Sequence, residues 1–216
     1  MADTLLILSL TAASLGFIHT LFGPDHYLPF IMMSRAGEWS MRKTSIVTIL
    51  CGLGHVMSSI LIGLAGIALG IAVSRLEIVE GFRGNLAAWA LIAFGLVYMV
   101  WGIRRAMKHR GHHHSHLPKD KKKQMTVWVL FTIFVLGPCE PLIPLLMYPA
   151  YERSLIGVIF VATIFSIATI GTMLFMVIYI SLGLKRLRFE KLEHWTHAIA
   201  GAVILLSGLG IQFLGL

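Results

Sequence analysis

Gly23-Pro-Asp-His-Tyr-Leu-Pro-Phe-Ile-Met-Met-Ser-Arg-Ala36 aligns without a gap on Gly137-Pro-Cys-Glu-Pro-Leu-Ile-Pro-Leu-Leu-Met-Tyr-Pro-Ala150, 114 positions later, with Gly, Pro, Leu, Met and Ala identical. Each copy lies in a long apolar run and opens on Gly-Pro. Proline removes a backbone donor and clashes with the preceding turn, so a helix is interrupted there. Hydrocarbon cannot satisfy the carbonyls that such a break releases, so within a membrane the break belongs against protein or a wet cavity. Two breaks at matching positions point to a repeated unit built around a binding site.

Composition puts those runs in a bilayer. The chain has 216 residues, 57% hydrophobic and 13% charged, with a mean hydropathy of +0.82. An ordinary soluble domain carries about 25% charged residues. Too few charges remain here to coat a water-facing surface, which excludes a soluble enzyme. Cys51 and Cys139 both lie in apolar stretches, which excludes a disulfide scaffold.

The expected fold is an all-α polytopic membrane protein with six transmembrane helices, near residues 4–33, 44–73, 86–104, 126–149, 155–184 and 195–216. It reads as a single transmembrane domain over 1–216, with repeat 1 over about 4–104, a polar loop over about 105–125 and repeat 2 over about 126–216. Three spans per half is odd, so the second copy enters from the opposite face. The expectation is two inverted three-helix repeats with Gly-Pro-broken first helices. Met1-Ala-Asp-Thr4 lacks a basic leader, so the first span is expected to stay.

Charge sets the orientation. Of the 18 Lys and Arg residues, 15 fall in one set of alternating loops, and Arg75, Arg83 and Arg153 make up the other. The richer set marks the cytoplasm. The expected location is the inner (cytoplasmic) membrane, multi-pass, with both termini outside and loop 105–125 cytoplasmic. The net charge of +8 is then a topological signal and an anchor to the lipid bilayer, and no nucleic-acid partner is needed.

Of the ten acidic residues, only Asp25 and Glu140 fall inside these spans, one alignment position apart in the repeat. An ionised carboxylate at mid-membrane costs about 2.5–3.5 kcal/mol on insertion scales, so a compensating role is expected. Imidazole, carboxylate and thiolate are donors that divalent Ni, Co or Zn accepts. His19, Asp25 and His26 make a compact set at the first break, with His55, Cys139 and Glu140 as candidates from the rest of the chain. Thr163, Ser166, Thr169 and Thr172 recur every three residues, and Thr169 and Thr172 are candidate pathway residues. The alternative is that such hydroxyls join helices. In the polar loop, His112, His113, His114 and His116 form a tract suited to weak metal capture at the inner mouth.

At His19-Thr-Leu-Phe-Gly-Pro-Asp-His26 the sequence resembles the nickel and cobalt permeases, above all the urease-accessory membrane proteins. Gly52-Leu-Gly-His55 is similar to that family's second-span Gly-His element. The resemblance implies a secondary transporter in which His19, Asp25 and His26 handle the metal. The Gly137-Pro-Cys139 motif is also similar to the membrane thiol carriers of cytochrome biogenesis and disulfide reduction. That second resemblance implies an electron carrier using Cys139.

The leading expectation is a secondary transporter of a Ni- or Co-like divalent ion across the cytoplasmic membrane, not an enzyme, and with no prosthetic group. The alternatives are a transmembrane thiol/disulfide electron carrier using Cys139, and a metal-handling accessory subunit that passes ions to a cytosolic acceptor. A second copy of the chain is a further candidate partner. The preferred metal, the direction of transport and the coupling ion stay open.

Overall fold

A computed structural model of the chain describes residues 2–108, 119–152, 154–186 and 194–214. Among the described residues it is helical, with no strand. The elements are α1 (Ala2–Phe22), a 3-10 turn (Pro24–His26), α2 (Leu28–Ala36), α3 (Met41–Ala68), α4 (Val73–Lys108), α5 (Lys119–Leu136), α6 (Leu142–Tyr151), α7 (Leu155–Arg186) and α8 (Thr196–Leu214). Five helices are long and apolar enough to cross a membrane: α1, α3, α4, α7 and α8. The expected fourth span over 126–149 is two shorter helices, α5 and α6, separated by the second Gly-Pro. The first helix is interrupted in the same way, between α1 and α2.

Two boundaries differ from the expectation. The second span runs over Met41–Ala68 rather than 44–73, because Ser40 caps it: its side chain accepts from the Lys43 N–H at 3.2 Å. The third is a 36-residue helix, about 54 Å long, where 86–104 was expected. Glu77, Glu80, Arg83 and Asn85 ended the apolar run early to a reader of the sequence, yet all lie on α4. Arg75 and Arg83 are therefore helical, and Glu80 joins Asp25 and Glu140 among acidic residues within the membrane segments.

The polarity of the packing is that of a bilayer protein. Thr20, Thr44, Thr48, His55, Ser59 and Glu80 are buried, while Leu6, Leu61, Phe175 and Leu206 face outward. Hydroxyls inside the bundle bond within it, as Ser34 Oγ and Thr44 Oγ1 do across α2 and α3 at 2.7 Å. Helices α1 and α7 pack together, as do α4 and α8. On α4 and α8 the backbones themselves touch. A Cβ on Gly95 would overlap the backbone of Leu205, and one on Gly201 the backbone of Met99. Glycine lets helices approach this closely, giving continuous van der Waals contact where lipid supplies no hydrophobic force.

Candidate functional site

At the first break the final regular helix bond runs from the Gly23 N–H to the His19 carbonyl at 3.0 Å. Pro24 then opens a one-turn 3-10 helix closed by the His26 N–H on the Gly23 carbonyl at 3.0 Å. This turn brings His26 back over the break. A Cβ on Gly23 would lie 2.5 Å from His26 Nδ1, so only glycine admits the ring. His26 Nδ1 lies 3.2 Å from the Gly23 carbonyl and 3.1 Å from Asp25 Oδ1. Both are acceptors, so Nδ1 carries the hydrogen, and in the neutral ring Nε2 keeps its lone pair.

The same logic holds at the second break. Pro138 has no N–H to give the Phe134 carbonyl four residues earlier. His55, near the middle of α3, donates from Nδ1 to that carbonyl at 3.3 Å. Its Nε2 is then also left with a lone pair. His19, His26 and His55 meet with ring centroids 4.7, 5.1 and 6.5 Å apart. Their Nε2 atoms are buried with no hydrogen-bond partner among the described residues. One nitrogen from each ring falls within 4.8 Å of the other two. A ring whose one nitrogen donates to an oxygen while the other presents its lone pair has the arrangement found around metal ions.

These three histidines line a cavity of about 620 Å³, together with Asp25, Asn85, Pro138, Glu140 and Gln212. Asp25 and Glu140, one alignment position apart in the sequence repeat, thus share one hollow. The candidate residues do not all converge on the histidines. Cys139 is fully buried and packs with Val56, Leu142 and Phe165, and it is not on the cavity wall. Cys51 lies in a different apolar cluster with Phe30 and Phe134, and neither cysteine is in a disulfide. Thr172 Oγ1 donates to the Ala168 carbonyl of its own helix at 2.7 Å. Thr169 is buried, with its Oγ1 3.1 Å from where a Gly16 Cβ would stand, at the α1–α7 contact. Neither threonine lines the cavity. The tract His112, His113, His114 and His116 lies outside the described residues.

Glu80 and Arg83 were missed by the sequence reading. Glu80 is fully buried and paired with Arg83 one turn on. Glu80 Oε2 accepts from Ser59 Oγ at 3.0 Å and from the Cys139 N–H at 3.1 Å. Arg83 Nη2 donates to Ser58 Oγ at 2.6 Å, the Val135 carbonyl at 2.8 Å and the Gly137 carbonyl at 3.3 Å. Opposite charges at i, i+3 were the available signal, since on a helix they face one another.

The family described as cytochrome C biogenesis protein transmembrane region matches residues 28–209. The matched stretch includes His55, Glu80, Arg83 and both cysteines, and begins just after His19, Asp25 and His26. Curated proteins and solved structures give no match. The family's description speaks for the resemblance to membrane thiol carriers and lends nothing to the resemblance to nickel and cobalt permeases. With most of its length matched, this multi-pass helical chain belongs to the family of the cytochrome C biogenesis protein transmembrane region.

Proposed function

We propose that the protein is a secondary transporter of a divalent transition-metal ion, with His19, His26 and His55 as its ligands inside the bilayer. The observation that carries this reading is the convergence of three histidine rings, each with a buried Nε2 that has no hydrogen-bond partner among the described residues, and with one nitrogen of each ring within 4.8 Å of the other two. Each unsatisfied buried nitrogen costs about 1–3 kcal/mol, and one bound cation would satisfy all three. Imidazole suits Ni, Co and Zn. With metal–nitrogen bonds of about 2.0–2.1 Å, ligand nitrogens on a tetrahedral ion lie roughly 3.3 Å apart. From separations of up to 4.8 Å, small ring rotations reach that spacing. Asp25 orients His26, and Glu140 on the cavity wall adds negative charge beside the cation's path.

The two interrupted first helices support an inverted pair of three-helix repeats. So does the packing, in which α1 meets α7 and α5 meets α3. In this reading one repeat rocks against the other to expose the site alternately to each face. The Lys and Arg bias supports a cytoplasmic placement of the segment joining α4 and α5, with the termini outside. Energy comes from an ion gradient, with protons exchanging for metal on the same histidines.

Purified protein titrated with CoCl2 and NiCl2 in detergent, then assayed for flux in proteoliposomes, tests the reading. Saturable binding and uptake, both lost in His26→Ala, are expected. Wild-type protein that binds neither ion would remove it.

The family's description favours a second reading, a thiol/disulfide electron carrier using Cys139. Its requirement is a partner thiol. Two cysteines can bridge only with Cα atoms within about 7 Å, whereas Cys51 and Cys139 pack in separate apolar clusters. Alkylation before and after mild oxidation decides between the readings: mutual protection of Cys51 and Cys139 supports the carrier, and unchanged labelling opposes it.

A further inference from the structure

Three carbonyls at the second break lack the N–H four residues on that a continuous helix would supply, each for a stated reason, although the Phe134 carbonyl still accepts from the Gly137 N–H at 3.1 Å. Phe134 faces Pro138 and Gly137 faces Pro141, and neither proline has an N–H. Val135 loses the Cys139 N–H, which is diverted to Glu80 Oε2 and to Ser59 Oγ, 3.1 and 3.2 Å away. His55 Nδ1 donates to the first, and Arg83 Nη2 to the other two. One imidazole and one guanidinium therefore hold adjacent parts of the same broken backbone.

Arg83 reaches His55 by a second route as well. Its Nη2 donates to Ser58 Oγ at 2.6 Å, and Ser58 Oγ donates to the His55 carbonyl at 2.7 Å. The ring of His55 also stands against the break, since a Cβ on Gly137 would lie 3.2 Å from its Nδ1. Glu80 fixes the guanidinium in turn, accepting from Arg83 Nη1 while its other oxygen holds Ser59 and Cys139. A guanidinium presents five donors in a rigid fork, a task that an ammonium cannot repeat.

We infer that Glu80 and Arg83 are positioning residues: by clamping residues 135–139, they hold the Phe134 carbonyl where it fixes His55 with Nδ1 protonated, Nε2 free and the ring beside those of His19 and His26. The inference rests on the histidine site proposed above. Neither residue touches the three Nε2 atoms, so the pair acts through His55 alone.

The test uses the full chain in detergent and two readouts. The first is the 15N chemical shift of selectively labelled histidine without metal, which reports the His55 tautomer. The second is the ligand-field spectrum and affinity for CoCl2. In Arg83→Lys the His55 signal is expected to leave the Nδ1–H form, Co(II) affinity to fall at least about 10-fold, and the bands to weaken as a ligand is lost. Arg83→Lys should add no further loss in a His55→Ala background, because both changes remove one contribution. An unchanged tautomer and spectrum in folded Arg83→Lys would overturn the inference, as would full additivity with His55→Ala. Should Arg83→Lys fail to fold, Ser59→Ala, which removes one donor to Glu80, carries the same comparison. If wild type binds no Co(II) but Arg83→Lys still releases the His55 tautomer, the transport reading fails and the positioning role stands.

Discussion

The two Gly-Pro breaks begin from the same sequence device and end with different jobs. At residues 23–27 the break is held largely from within: His26 N–H bonds to the Gly23 carbonyl, and Tyr27 Oη–H reaches back to the Leu21 carbonyl at 3.3 Å. It therefore has a side chain to spare and supplies His26 to the cavity. At residues 137–141 the break is held from outside, by His55 of α3 and Arg83 of α4. It supplies no histidine, and its Cys139 is buried among apolar neighbours. Repetition of a backbone motif thus fixes where helices are interrupted without fixing which copy supplies a histidine to the cavity.

The sharpest way to break this contrast is to remove the outside support. Arg83→Met leaves the Glu80 carboxylate buried without its partner, and removing one member of a buried pair costs about 3–5 kcal/mol. A large drop in the thermal midpoint of the detergent-solubilised protein is expected, whereas a midpoint within a degree or two of wild type would show that the second break holds itself.

Ligand removal separates the breaks next. His26→Ala should weaken Co(II) binding by at least about 100-fold, beyond the 10–100-fold typical of residues that merely orient a ligand. Cys139→Ala should leave the affinity unchanged. Equal losses in the two variants, read by isothermal titration, would mean that the breaks contribute alike.

Asp25→Asn tests a smaller effect. The amide oxygen can still accept from His26 Nδ1, but the negative charge that supports the ring's basicity is gone. About a 10-fold loss of Co(II) affinity is expected. No change at all would assign the orientation of His26 to the Gly23 carbonyl alone. The smallest effect belongs to Thr172→Val, because its hydroxyl bonds only to its own helix and is away from the cavity. Transport rate and stability should stay near wild type, and a tenfold fall in flux would restore Thr172 to the ion's path.

Much of this was legible in the residues. Long apolar runs announced membrane helices, and Gly-Pro announced both interruptions, because proline's missing donor acts locally. His19, Asp25 and His26 could be grouped for the same reason, being seven residues or fewer apart along one segment. His55 was a candidate as an imidazole in an apolar run, but only tertiary contact brings it to the other two. Glu80 and Arg83 were hidden by a rule that usually works: charges end apolar runs. Their mutual neutralisation lets α4 continue through them, an effect that a hydropathy window averages away. The thiol pairing implied by the family resemblance depends on a distance between helices, which no spacing along the chain encodes.

Helices α4 and α8 meet through bare glycine, main chain on main chain. Contacts cushioned by long side chains can be reshuffled when helices slide, but there is no cushion at Gly95 or Gly201. Sliding of α4 along α8 is therefore blocked, and under the transport reading proposed above any rocking of one repeat against the other has to pivot at this seam.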